Sequence, residues 1–277
     1  VKWIMIDEYQ DFSQLFYNLI DSLRSYNSKV KFFCVGDSWQ AINGFAGSDL
    51  KFFDNFMDYF EETTVLDLPD NYRSQSNIVD QANAFMKGKS GVPSVAKNHD
   101  LFRSPVYKYH ANDVYINYDN RDPQKEHEIY KTRVFKDGQC RNVDASFEMA
   151  RRFMQCEKII KQYPLDTTSF MILSRTGILG YSYRNLDTFK NKLRQILKPD
   201  LNQFNNFDQQ VQCRTAHSSK GLEADVVIVL NADERKFPLI HPDNLLNRIL
   251  GVNIEDVFRE EERLFYVVIT RAKQDLY

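Results

Sequence analysis

Short apolar runs set between amphipathic stretches of helical period constrain this chain more than any other feature. Val1–Ile6 (VKWIMI), Val30–Val35 (VKFFCV), Thr63–Leu68 (TTVLDL), Ser169–Leu173 (SFMIL) and Val226–Leu230 (VVIVL) are each five or six residues long. Apolar runs of that length between turn residues read as buried strands. Between them lie helical patterns. Ser13 can cap a helix to about Tyr26, with Leu15, Phe16, Leu19, Ile20 and Leu23 on one face. Ser48 or Asp49 can open another, with Leu50, Phe53, Phe56, Met57 and Phe60 inward, and Ser74 a third, bearing Ile78, Val79, Ala82, Phe85 and Met86. Asp144–Tyr163, Leu186–Leu197 and Glu260–Ile269 read as further helices, and Asp275–Tyr277 as the start of a strand. Strands alternating with helices predict an α/β fold of parallel sheets flanked by helices.

The middle departs from this pattern. From about Gly88 to Val143 the chain is polar and broken, with short alternating pieces at Val106–His110, Val114–Tyr118 and Tyr130–Phe135 and a hairpin signal at Asp137-Gly138. Composition excludes several classes. With 43% apolar and 14% aromatic residues, the chain can fill a core and is not a disordered segment. A net charge of −2 gives no basic bulk field of the kind that marks a nucleic-acid binder. Cys34, Cys140, Cys156 and Cys213 lie far apart with no CxxC pair, which suits reduced thiols rather than a disulfide frame or zinc knuckle. His99, His110, His127 and His241 show no metal-ligand spacing. No apolar run approaches the ~18–20 residues of a membrane span. No signal peptide opens the sequence, so a cytoplasmic protein is expected.

Five segments carry candidate chemistry. The Ile4–Ile6 strand ends in Asp7-Glu8, which places two carboxylates at the carboxyl edge of a sheet. There Asp7 suits Mg²⁺, and Glu8 suits polarising a water; a solvated acidic turn would look the same. A second strand ends in Gly36-Asp37, followed by Gln40, which suits a γ-phosphate. Phe45, between Gly44 and Gly47, suits stacking on a base or anchoring its loop in the core. Tyr72-Arg73, before a helix, suits stacking on a nucleobase and reaching a phosphate, or a capping turn with a surface Arg. Thr215-Ala216-His217-Ser218-Ser219-Lys220-Gly221-Leu222-Glu223 is a hydroxyl- and Gly-bearing loop suited to a phosphodiester, or an ordinary polar loop. Beyond the amphipathic stretch that starts at Glu261, Thr270-Arg271 can bring a second guanidinium to a phosphate.

In this order the five segments resemble the UvrD/Rep family of superfamily 1 DNA helicases. IDEYQD is similar to that family's Walker B box, VGDSWQAINGFAG to its third motif and LPDNYRS to its fourth. TAHSSKGLE and EERLFYVVITRAK are similar to its fifth and sixth, and the tail from FPLIHPDN onward is most similar to the helicase IV branch. The resemblance implies RecA-like P-loop NTPase domains that bind ATP and Mg²⁺ between them and run single-stranded DNA, 3′ to 5′, across their tops. It implies that Asp7 binds the metal and Glu8 activates water. Gln40 would contact the γ-phosphate, Tyr72 would stack on adenine, and Arg73 and Arg271 would act as paired arginine fingers. Glu223 would meet the ribose or the metal's water shell. Phe45 would stack on a DNA base, and Thr215 and His217 would touch the DNA backbone.

The sequence also departs from the family. Ser38 and Trp39 stand where acidic residues are usual, and Asn43 and Ala46 where an aromatic and a basic residue are frequent. Thr215 lies only 142 positions after Arg73, too few for the family's large accessory insertion beside a second RecA-like domain. The phosphate-cradling pattern GxxxxGK(S/T) is absent from these 277 residues. Gly88-Lys89-Ser90 lacks the upstream glycine, because position 83 is Asn83, and it follows a helix rather than a strand. The expectation is therefore a fragment. Residues 1–69 would be the back of the first RecA-like domain and 70–277 the second, with an irregular insertion around 88–143 and a missing N-terminal ATPase segment as partner. Alternatively the chain is a non-catalytic binding module derived from a helicase.

Overall fold

The computed structural model describes residues 2–60, 62–98, 143–177, 185–232, 237–239 and 253–277. The chain runs through β1 (Trp3–Ile6), α1 (Gln14–Tyr26), β2 (Lys31–Cys34), the single-turn helices α2 (Lys51–Asp54) and α3 (Phe56–Tyr59), β3 (Asp70–Gln75), α4 (Ser76–Phe85) and β4 (Val95–Asn98). It continues through α5 (Val143–Ile160), β5 (Phe170–Ser174), α6 (Leu186–Ile196), α7 (Phe207–Gln210), β6 (Val211–Thr215), β7 (Ala224–Leu230), α8 (Ile254–Ile269) and β8 (Ala272–Leu276). Every ladder among these strands is parallel: β1 with β2, β3 with β4, and a four-stranded sheet in the order β6-β5-β7-β8. The Ser74 hydroxyl donates to the Ala272 carbonyl at 2.6 Å, which ties β3 to the edge strand β8.

The central sheet is apolar on both faces, as parallel strands packed between helices require. Alternate residues of each strand divide between two cores. Phe170, Ile172, Val226 and Ile228 join Phe153 and Ile160 of α5 and Phe189 and Leu193 of α6. Met171, Leu173 and Val227 point the other way, into Leu264, Val267 and Val268 of α8 and Ile78 and Ala82 of α4. Trp39 and Ile42, from the loop after β2, lie in that second core. A third core gathers Tyr9, Phe12, Ile20, Phe52 and Phe60 beneath β1 and β2.

Several expectations need correction. Residues 63–69 form no strand, and Val65, Leu66 and Leu68 are exposed, because the run finds no ladder partner among the described residues. The helix expected after Ser48 is broken into α2 and α3 at Asn55. That break resets the period, so Phe52 is fully buried and Met57 is exposed. Ser13 caps α1 by accepting from the Phe16 N–H, but Leu15, Phe16, Leu19 and Leu23 remain exposed and only Ile20 is buried. Ser74 does not cap α4; Asn71-Tyr72-Arg73-Ser74 lies within β3, and Gln75 stands at the cap. The segment after Gly88 is not wholly irregular, since β4 pairs with β3. The alternating pieces from Val106 to Phe135 and the Asp137-Gly138 turn lie outside the described residues, as does Cys140. Cys34, Cys156 and Cys213 are free thiols. No described helix is long and apolar enough to cross a membrane.

Candidate functional site

The parallel β1–β2 pair delivers two acidic loops to one edge. After β1, Glu8 takes a left-handed backbone (φ 51°), which is costly for a residue with a Cβ. Its neighbours hold it there. The Glu8 N–H donates to Asp7 Oδ1 at 2.8 Å, and the Tyr9 N–H donates to the Val35 carbonyl at 2.8 Å. The buried Gln10 amide donates to Glu8 Oε2 and accepts the Asp37 N–H at 3.0 Å. After β2, Asp37 caps the turn at Ser38–Gln40, accepting from the Trp39 N–H at 2.9 Å and from the Gln40 amide at 2.8 Å. Burial pushes the Asp37 carboxyl up, against the hydrogen bonds from Gln40 and Trp39.

Arg271 approaches these loops from the junction of α8 and β8. It is 1% exposed, the largest fully buried side chain among the described residues. Its guanidinium donates to the Val267 carbonyl at 2.9 Å, the Leu222 carbonyl at 3.2 Å, the Thr270 hydroxyl at 3.1 Å and Gln40 Oε1 at 3.4 Å. Burial and the nearby Arg73 charge both act against the Arg271 cation. Its acceptors among the described residues are carbonyl, hydroxyl and amide oxygens, with no carboxylate bonded to it. Arg73 reaches Glu223 Oε2 at 2.7 Å, and Lys273 holds Glu223 Oε1 at 2.8 Å. The hydrogen bond from Lys273 is the largest influence holding the Glu223 carboxyl below its ordinary range.

Two residues of this cluster were not singled out in the sequence. The Lys220 ammonium lies 2.6 Å from Asp11 Oδ2, 3.4 Å from Glu8 Oε2 and 3.0 Å from the Gln40 carbonyl. Lys220 thus bridges the loop after β6 to both acidic loops. Its only sequence signal was membership of the TAHSSKGLE segment, and Asp11's was membership of IDEYQD.

At the other end of the Ser38–Gly47 loop, the exposed Phe45 ring meets His217 edge-on, with centroids 5.6 Å apart at 84°. Burial, then the Arg175 charge, push the His217 imidazole below its ordinary value. Arg175 is itself held by Glu261, with Nε 2.9 Å from Oε2. Thr215 Oγ1 lies 2.9 Å from the Ser218 hydroxyl, so the two are bonded within their own loop. The Tyr72 ring is exposed on β3, its hydroxyl 3.5 Å from Asp70. The structure therefore joins Gln40 to Arg271, Arg73 to Glu223 and Phe45 to His217. The side chains of Tyr72 and Thr215 bond within their own segments.

The donor chemistry fits Mg²⁺ and a polyphosphate. No group of three or more His, Cys, Asp or Glu among the described residues is arranged to hold a metal ion, so a protein-only cage is absent there. Asp7 with Glu8 offers the one or two carboxylates that Mg²⁺ takes when phosphate and water complete its shell. Arg271 and Arg73 offer planar donors for phosphate oxygens.

Comparison with known proteins finds matches at both ends of the chain. Residues 1–61 match the UvrD/REP helicase N-terminal domain, and residues 180–277 match the UvrD-like helicase C-terminal domain. The chain is 26% identical over its whole length to DNA helicase IV of Escherichia coli, covering 33% of that protein. It is equally identical over its whole length to a probable DNA helicase of Mycoplasma pneumoniae, covering 43% of it. Over 90 residues, 32% of this chain and 12% of the relative, it is 38% identical to the ATP-dependent DNA helicase PcrA of Staphylococcus epidermidis. The chain thus spans less than half the length of each of these relatives. Such domains have the P-loop, RecA-like fold, which agrees with the parallel sheets flanked by helices seen here. With the two domain matches at its two ends and the motif loops converging between them, the chain belongs to the UvrD-like helicase family.

Proposed function

We propose that this chain is a portion of an ATP- and Mg²⁺-dependent helicase or translocase that moves 3′ to 5′ on single-stranded DNA, supplying water-activating, phosphate-binding and DNA-gripping residues but not the phosphate loop. Residues 1–69 would form the back of one RecA-like domain and 70–277 the second. The observation that carries the reading is the buried Arg271 guanidinium, hydrogen-bonded to Gln40 and, among the described residues, to no carboxylate, with the Glu8 and Asp37 charges near it.

In this reading Asp7 holds the metal, and Glu8, preset by its left-handed backbone, accepts the proton of the attacking water. Arg271 and Arg73 meet the charge that spreads over the transferred phosphoryl oxygens. Glu223 orients Arg73 and the ribose side, Tyr72 stacks on the base of ATP, and Gln40 reports the γ-phosphate. Phe45 and His217 take a DNA base and backbone, and Thr215 adds a hydroxyl. Bound Mg²⁺ supplies charge neutralisation at the phosphates. The exposed apolar face formed by Trp3, Met5, Phe33 and Val35 supports a further ATPase segment as partner, and that segment would bring the phosphate loop these residues lack.

In the whole protein, Glu8→Gln and Arg271→Ala should each lower DNA-stimulated ATP turnover by about 10³-fold or more while a labelled oligonucleotide still binds. Near wild-type rates in either folded variant would refute the assignment. The 277 residues alone should hydrolyse essentially no ATP, and robust DNA-stimulated turnover by them would refute that part.

A further inference from the structure

The loop from Trp39 to Gly44 lies antiparallel along α8. The Trp39 ring meets Tyr266 edge-on at 5.2 Å. Two residues on, the Ala41 carbonyl accepts from Arg263 Nε at 2.7 Å. Three further on, the Gly44 N–H donates to Glu260 Oε1 at 2.9 Å. Each step forward along the loop is a step back of three residues, nearly one turn, along the helix. The two segments therefore form a splint. At one end α8 runs straight into Arg271, which touches Gln40. At the other end Gly44 leads into Phe45, whose ring rests on His217.

Glu260 and Arg263 bond backbone groups of the loop. Both are largely enclosed: burial raises the Glu260 carboxyl and lowers the Arg263 guanidinium from their ordinary values. The Glu260 side chain thus ties the helix directly to the loop's backbone N–H at Gly44. Gly44 fits it closely, since a Cβ there would lie 2.9 Å from Glu260 Oε2.

We propose that Glu260 is a positioning residue which, seconded by Arg263, couples occupancy of the Phe45–His217 end to the placement of the Gln40–Arg271 end. A base that shifts the Phe45 loop would shift α8 with it, because rigid elements carry coupling where side chains bridge them. The proposal rests on the reading above, that Phe45 meets DNA and Arg271 a phosphate.

The test uses the whole protein with MgATP and a fluorescein-labelled oligothymidylate, and follows ATP turnover with and without DNA and anisotropy for DNA affinity. Glu260→Ala and Gly44→Ala should each keep unstimulated turnover and DNA affinity near wild type and lower DNA stimulation about tenfold, within the usual range of coupling between two sites. Glu260→Gln, whose amide oxygen still accepts the Gly44 N–H, should restore stimulation. Gly44→Ala leaves every charge in place, so it carries the test if Glu260→Ala fails to fold. Full stimulation in Gly44→Ala and in folded Glu260→Ala would overturn the coupling alone, as would a loss in Glu260→Gln equal to that in Glu260→Ala. A wild-type protein with no DNA-stimulated turnover would overturn the functional reading, and this coupling with it.

Discussion

His217 shows how burial sets chemistry at a single residue. Its ring is half-enclosed against Phe45, and the Arg175 charge lies near enough to disfavour a second cation, with Glu261 opposing more weakly. Both leading effects favour the neutral imidazole, so at pH 7 the Phe45 contact is one between neutral rings. The sign for stability follows. A histidine whose folded value lies below its unfolded value of about 6.5 binds its proton more readily in the unfolded chain, so stability falls as the pH drops through that value. A histidine NMR titration should therefore place the His217 midpoint below 6.5, and a midpoint at or above 6.5 would refute the assignment of burial as the dominant effect. The residue type and its place in TAHSSKGLE were legible in the sequence. Its contact with Phe45, 172 positions away, was not, because periodicity reports only which face of a local element is apolar. Lys220 was hidden for a related reason. A lysine in a polar loop reads as solvated until the fold brings Asp11 and Glu8 to it.

At the scale of elements, the Gly88-Lys89-Ser90-Gly91 turn changes meaning. Its GKS tempted a phosphate-loop reading, and its place after a helix argued against one. The structure shows the turn as a clasp on Trp39. The Ser90 carbonyl accepts the indole N–H at 2.5 Å, Lys89 pairs with Glu262 at 3.1 Å, and Gly91 presses against the ring face. At φ 132° and with a Cβ position 2.2 Å from Trp39 Nε1, Gly91 can be no other residue without moving backbone or ring. Gly91→Ala should destabilise the fold by roughly 1–3 kcal/mol, the scale of an overpacked core. Urea unfolding would read this, and a change under about 0.5 kcal/mol would show that the clasp yields freely. The strands β5 and β7 were legible as apolar runs because both their faces are buried. The break at Asn55 and the strand at Asn71–Ser74 were not. Tertiary packing decided both against a local pattern that favoured a longer helix and a turn.

Across the whole molecule, the four-stranded sheet and the β1–β2 pair differ in how completely they are covered. The β6-β5-β7-β8 sheet is sealed by α5 and α6 on one face and by α8 and α4 on the other. The β1–β2 pair is covered on one face by Tyr9, Phe52 and Phe60, while Trp3, Met5, Phe33 and Val35 stand exposed on the other. A two-stranded pair is marginal without further strands or helices against it, and exposed large apolar groups of this kind mark surfaces that bind. The same asymmetry explains why both sheets looked alike in sequence. An apolar run predicts a buried strand, but it cannot say whether the residues that bury it are present. Local opening free energies should follow the coverage. In the isolated 277 residues, hydrogen exchange monitored by mass spectrometry should label the amides of Ile4–Ile6 and Phe32–Cys34 well before those of Met171–Leu173 and Val227–Val229. Equal protection of the four-stranded sheet and the β1–β2 pair would mean that the third core alone stabilises β1 and β2, and would remove the structural argument that a further segment packs on their open face.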